Sequence, residues 1–342
     1  MSTFIIAEAG VNHNGSLEIA KKLVDIAAES GADAIKFQTF KAEKVATGKA
    51  IKAEYQIRNT GSGESQFEML KRLELSVDAF MELFSYCNKK NITFMSTPFD
   101  EESADRLDIL GMTIFKIPSG EITNKPLIQH IASKKKPIIL STGMSYLGEV
   151  EKTVNWIGEV WDKLKNKPQL TLLHCVSNYP ASVEEINLLA MKAMEKAFRL
   201  PIGYSDHTMG IELPIAAVAM GARIIEKHFT LDRNMEGPDH KASLEPRELK
   251  KMVEAIRNVE RAMGDGIKKP AKNEDDARNF ARRSLIAARS IKAGNTISSE
   301  DIIIKRPGNG ISPEFREVII GMQAKKDINI DSVIKWEDVK NA

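Results

Sequence analysis

The chain is poor in cysteine, in long apolar runs and in charge imbalance, and each shortage excludes something. Two cysteines, Cys87 and Cys175, are too few for a disulfide framework in 342 residues; both read as free thiols suited to a reducing compartment. No apolar run approaches the roughly 18–20 residues that cross a bilayer. The first residues reach an acid, Glu8, after a short apolar stretch with no basic leader, which does not read as a signal peptide. The expected location is the cytoplasm, with no membrane partner. Forty-nine basic against 47 acidic side chains leave a net charge of +2, so nothing electrostatic points to nucleic acid. A dinucleotide fingerprint is also missing. Gly10 and Gly15 follow the first strand-like run, but their spacing is not that of G-x-G-x-x-G. That weakens a doubly wound open sheet.

What is present is alternation. Eight short β-branched runs, at 4–8, 34–38, 93–97, 114–117, 137–142, 170–175, 202–206 and 222–228, read as strands covered on both faces. Amphipathic segments separate them, at 17–29, 77–90, 102–110, 125–133, 148–164, 184–197, 211–220 and 245–263. Eight strand–helix units predict an α/β fold, a (β/α)8 TIM barrel over 1–265. Residues 41–76 are too long for an ordinary barrel connection and read as a lid or binding loop. Residues 266–283 are polar and read as a linker. From 284 to 342 the runs are short and β-like between glycine turns, predicting a small, mostly β second domain.

In a barrel, chemistry sits where strands end at their C-terminal side. Polar groups recur there. Lys36 and Lys116, with Ser119, Ser141, Thr142 and Ser177, would suit an anion bearing phosphate and carboxylate; the bland alternative is that each lysine pairs with a barrel carboxylate. His207 and His228, ending neighbouring strands, would hold a divalent metal or simply be two satisfied polar histidines. Glu8, Glu121, Asp206 and Asp239 are candidate bases or hydroxyl ligands, each with a salt bridge as the alternative. Lys305-Arg306-Pro307-Gly308 reads as a solvated turn.

Taken jointly, several motifs resemble one family: Ala7-Glu8-Ala9-Gly10-Val11-Asn12-His13-Asn14-Gly15, Lys36-Phe37-Gln38, Lys116-Ile117-Pro118-Ser119-Gly120-Glu121, Tyr204-Ser205-Asp206-His207-Thr208, Glu226-Lys227-His228 and Lys305-Arg306-Pro307-Gly308. The chain is similar end to end to the sialic acid (N-acetylneuraminate) synthase family of nonulosonic acid synthases, and looks closest to the bacterial legionaminate synthases. Its last domain is similar to the antifreeze-like (SAF) domain.

The resemblance implies condensation of phosphoenolpyruvate with an open-chain N-acetylated hexose and release of phosphate. It implies Mn2+, with Mg2+ or Co2+ as alternatives, on His207 and His228. Phosphoenolpyruvate contacts would be Lys36, Thr97, Lys116, Ser119, Ser141, Ser177 and Ser205. Sugar contacts would be Gln38, Glu121, Tyr179 and Asp239, joined by Arg306 reaching across a domain-swapped homodimer. Glu8 or Glu121 would be the catalytic base. Ser177 stands where some relatives carry asparagine, a departure at one phosphoenolpyruvate contact. The expected acceptor is 2,4-diacetamido-2,4,6-trideoxymannose, with N-acetylmannosamine second and a pseudaminate-type, altrose-configured sugar third. Rival classes are a Schiff-base aldolase using Lys36 or Lys116, a two-histidine metal hydrolase, and a non-enzymatic binding protein.

Overall fold

The computed structural model describes residues 2–342 and divides them into two compact units, up to Gly264 and from Asp265 onward. The first unit is built on eight parallel strands: β1 (Phe4–Gly10), β2 (Ala34–Thr39), β3 (Thr93–Pro98), β4 (Phe115–Ile117), β5 (Ile138–Ser141), β6 (Leu170–Cys175), β7 (Ile202–Asp206) and β8 (Ile224–His228). Hydrogen bonding runs in the order β3-β2-β1-β8-β7-β6-β5-β4. The two ends of that ladder, β3 and β4, lie side by side, so the sheet nearly closes into a TIM-like barrel.

Period-two alternation divides the work of each strand. One set of side chains, Ile6, Ala34, Met95, Ile139, Leu173 and Ile224, fills the barrel interior. The other, including Ile5, Ala7, Ile35, Leu172 and Ile225, packs against the helices. Helix starts follow local chemistry. Ser16 caps α1 (Leu17–Glu29) by accepting from the Ile19 amide. In the longest helix, Pro246–Ala262, a proline occupies the first turn, where its missing N–H costs nothing.

Two expectations need correction. The segment expected to be helical over 184–197 holds a 3-10 turn (Val183–Glu185) and a helix only from Ala190 to Phe198. Asn187 between them adopts φ +49, a left-handed conformation that no helix continues through. Residues 41–76 are not a plain loop. They carry α2 (Ala42–Val45), α3 (Glu54–Thr60) and α4 (Gln66–Leu73), the last started by a Ser65/Glu68 capping box. Under these helices lies a separate apolar cluster of Val11, Phe40, Met69 and Leu73, flanked by Leu70 and Phe99.

The second unit pairs β9 (Ser284–Ala287) with β10 (Ile302–Lys305) antiparallel, and β11 (Gln323–Ala324) with β12 (Val339–Lys340). Leu285, Ile291, Ile297, Ile311 and Ile334 form its own core. The stretch 266–283 is exposed throughout but not unstructured, since Asp275–Ala281 is helical.

Candidate active site

The inward-facing residues at the C-terminal ends of the strands converge on one cavity of about 440 Å3. Glu8, Lys36, Lys116, Ser141, Ser205 and Glu226 line it together with His207 and His228. Their contacts form a closed charge network. Lys36 Nζ lies 2.7 Å from a Glu8 oxygen and 3.6 Å from Glu226, and donates to Thr97 Oγ1 at 3.1 Å. Lys116 Nζ donates to Ser141 Oγ at 2.8 Å and lies 3.5 Å from Glu226. Ser205 donates to the same carboxylate at 3.1 Å. Both lysines and both glutamates are at most 5% exposed.

Burial governs the protonation of this network. It pushes Glu8 up to about 7, helped by the like charge of Glu226 and resisted by Lys36. Lys36 is held above its ordinary value because Glu226 and Glu8 outweigh its own burial. Lys116 is pushed down by burial, with Lys36 adding to the fall. The pocket therefore holds two cations against one firm anion and one labile one. A small anion with phosphate and carboxylate groups would meet ammonium groups and hydroxyls rather than apolar wall.

A second region adjoins the first. The rings of His207 and His228 have centroids 5.5 Å apart. His207 Nδ1 is 2.7 Å from the Val176 carbonyl, which leaves Nε2 as the nitrogen open to a ligand. His228 Nδ1 is buried with no hydrogen-bond partner. Burial, with His207 beside it, holds His228 well below its usual value, hence neutral. Two adjacent imidazoles, one held neutral with an orphaned buried nitrogen, fit a divalent ion. Among the described residues no third His, Cys, Asp or Glu completes a metal cluster, so other coordination positions would fall to water or substrate.

Tyr179 covers this pair, 4.0 Å from His207 and 5.5 Å from His228 between ring centroids. Tyr55 of α3 stacks on Tyr179 at 5.0 Å. The 41–76 segment is tied down by Asn59 Nδ2, which donates to the Pro238 carbonyl at 2.6 Å. Gln38 and Asp239 complete this wall; burial lifts Asp239 to about 6, against the pull of His207.

Ser119 and Ser177 also line the cavity. They crowd Gly143, where an added Cβ would lie 2.4 Å from Ser177 Oγ and 2.8 Å from Ser119 Oγ. Gly143→Ala is therefore expected to displace both hydroxyls and to raise the KM for the anionic substrate roughly tenfold. Steady-state kinetics would check this, and an unchanged KM would remove these serines from the binding surface.

Three candidates stand apart. Glu121 does not line the cavity, and its carboxylate accepts a hydrogen bond from Asn124 at 2.7 Å. Arg306 belongs to the second unit, where it is exposed and its Nε donates to the Ala281 carbonyl at 3.1 Å. Asp206, a candidate base by sequence, points outward from β7. It is bound by Lys227, Tyr204 and Thr208 and braces the barrel instead.

Sequence reasoning gave Glu226 no role. The signal was available: β8 reads Ile224-Ile225-Glu226-Lys227-His228, and alternation puts Glu226 on the same face as His228. Cys175 lines the cavity with its sulfur 3.7 Å from His207 Nδ1, a placement that its apolar run does not signal.

A lysine pair, hydroxyls and two histidines thus stand together at the strand ends of a parallel barrel, the end at which barrel enzymes carry their chemistry. The chain belongs to the NeuB family. That family's model matches residues 23–268, and an SAF domain matches residues 282–340. The chain is 54% identical to the N,N'-diacetyllegionaminic acid synthase of Campylobacter jejuni, over 97% of this chain and 99% of that one. It is 49% identical to the Legionella pneumophila protein of the same name, over 99% and 95%. Pseudaminic acid synthase of Campylobacter jejuni is more distant, at 37%. Among solved structures, the N-acetylneuraminic acid synthetase of Leptospira borgpetersenii in complex with citrate aligns with a TM-score of 0.70 and 37% identity, covering 81% of this chain and 90% of that one.

Proposed function

We propose that this NeuB-family enzyme condenses phosphoenolpyruvate with 2,4-diacetamido-2,4,6-trideoxymannose, releasing phosphate and N,N'-diacetyllegionaminate. The observation that carries the reading is the buried Lys36–Glu226–Lys116 network beside His207 and His228, in a chain 54% identical to a synthase of that name.

Lys36 and Lys116 hold the donor's phosphate and carboxylate, with Thr97, Ser119, Ser141, Ser177 and Ser205 as hydroxyl partners. Gln38, Tyr179 and Asp239 position the open-chain sugar against it, so that orientation supplies much of the rate. A divalent ion, Mn2+ by preference, on His207 and His228 would supply Lewis-acid polarisation of the sugar's carbonyl. Carbon 3 of phosphoenolpyruvate bonds to the aldehyde carbon, and positive charge develops at carbon 2. The carboxylate of Glu8 faces that charge and takes a proton from the water that adds there. The former aldehyde oxygen takes up the proton that Glu8 removed, and the adduct's carbon 2 hydroxyl gives its proton to the departing phosphate as the C–O bond breaks and the ketone forms. Glu226 balances the lysines while the donor is absent. Glu121 serves at the rim rather than as the base, and Arg306 acts from a second copy in a domain-swapped homodimer. The cytoplasm is the compartment we propose for the reaction, in keeping with the free thiols of Cys87 and Cys175.

Phosphate release should require phosphoenolpyruvate, a sugar and a divalent ion. Exhaustive chelation should abolish it and Mn2+ restore it. The diacetamido sugar should exceed N-acetylmannosamine in kcat/KM. The opposite preference would make the chain an N-acetylneuraminate synthase. Borohydride trapping of a pyruvate adduct on a lysine would replace the mechanism with a Schiff-base one.

A further inference from the structure

The cavity has two unlike walls. Its floor is the charged network on the strands. Its opposite wall comes from the 41–76 segment, which contributes Val45, Gln56, Gln66, Met69 and Leu70. Leu70 packs against the apolar cluster of Val11, Phe40, Met69 and Leu73, residues that line the cavity as well. This wall is not free to drift, because Tyr55 stacks on Tyr179 and Asn59 bonds to the Pro238 carbonyl.

An apolar wall is a poor neighbour for a hydroxymethyl group. A hydroxyl pressed against it gives up water and finds no partner, while a methyl group there loses nothing polar and removes apolar surface from water. The side-chain amides on the same wall offer donors and acceptors to a further amide. We propose that the 41–76 segment is the specificity element of the enzyme: its apolar face at Val45 and Leu70 receives methyl groups at the far end of the acceptor, and Gln66 hydrogen-bonds an acetamido group there. The wall selects 6-deoxy, acetamido-bearing acceptors over hydroxyl-rich hexoses. It does so away from the bond-forming atoms, so it acts on acceptor choice and leaves donor binding alone. This inference rests on the condensation proposed above.

The test compares kcat/KM for the diacetamido sugar and for N-acetylmannosamine, in the full-length enzyme with Mn2+. Leu70→Asn puts an amide where the methyl group would rest. Val45→Thr keeps the side-chain shape and adds only a hydroxyl, which covers the case in which Leu70→Asn unfolds α4. Each should lower the diacetamido-to-N-acetyl preference about tenfold, the scale of one misplaced methyl-sized contact. KM for phosphoenolpyruvate should stay within about twofold in both. Equal losses on both sugars, or a raised donor KM without a change in preference, would overturn the assignment. The parent enzyme separates the two layers of argument. If it shows the preference and the variants keep it, the wall is wrong and the reaction stands; if the parent lacks the preference, both fall.

Discussion

Glu8→Gln is expected to lower kcat by roughly 10²–10⁴-fold, the range for loss of a positioned proton acceptor, and at the same time to raise the melting temperature at pH 8. The second half follows from the position of Glu8. Its carboxyl is pushed up to about 7 from 4.5, mainly by burial. Above pH 7 the folded protein therefore carries a buried charge that the unfolded chain holds at no cost. Stability is lost as pH rises from about 4.5 to 7 and stays lower beyond. A carboxyl raised from 4.5 to about 7 destabilises the charged folded state by at most about 3–4 kcal/mol, or several degrees in a protein of this size. Glutamine carries no charge and escapes that cost. At pH 4 both forms are neutral at this position and should melt together. Thermal melts at the two pH values, with phosphate-release kinetics, check both parts. Unchanged turnover would take the base role from Glu8, and an unchanged melting temperature at pH 8 would mean that Lys36 fully offsets the burial.

Lys36→Met should have a larger effect on the donor. The substitution removes one of two ammonium groups from the anion site. It also leaves Glu8 and Glu226 facing Lys116 alone. Breaking one side of a buried ion pair costs about 3–5 kcal/mol, so the variant should be clearly less stable at pH 8. We expect kcat/KM for phosphoenolpyruvate to fall by about 10³-fold or more, since a charge-assisted contact and the protonation state of Glu8 are lost together. Adding Glu8→Gln to Lys36→Met should recover much of the stability and none of the turnover. That sign of coupling, read as a double-mutant cycle, separates electrostatic repair from catalysis. Full donor affinity in the single variant would show that Lys116 and the hydroxyls suffice.

The barrel was legible because its signals are local. Each strand is a short apolar run, and several of the barrel helices pair an apolar stripe with a side-chain cap or a proline at the start. Polar residues at the strand ends pointed to the end of the barrel that holds the cavity, for the same reason. What could not be read is what depends on three dimensions. Lys36, Lys116 and Lys227 look alike in sequence, each a lysine in an apolar run. Only the register decides that the first two face the cavity while Lys227 faces outward to Asp206. For Glu226 alternation gives the face it shares with His228, but not its partners, which come from β2, β4 and β7, far away in the chain. Glu121 directly follows Ser119 and Gly120 in the chain, yet the 3-10 turn at 119–121 directs its carboxylate to Asn124. The helices of the 41–76 segment were missed because each is shorter than three full turns, too short to set up a convincing period.

The Asp206–Lys227 pair constrains how this enzyme could be engineered or could diverge. Both side chains are fully buried, and buried ion pairs can often be exchanged for apolar residues with no loss, or a gain, in stability. Here the exchange would reach further. Asp206 accepts from the Thr208 amide and hydroxyl, and Lys227 donates to the Thr208 carbonyl. Together they fasten both sides of the turn on which His207 sits, and Lys227 itself directly precedes His228 in the chain. A sturdier apolar barrel would thus be bought with a looser pair of imidazoles. Thermostable descendants of this chain should keep these two charges and gain their stability elsewhere, on helix surfaces and caps that do not touch the mouth.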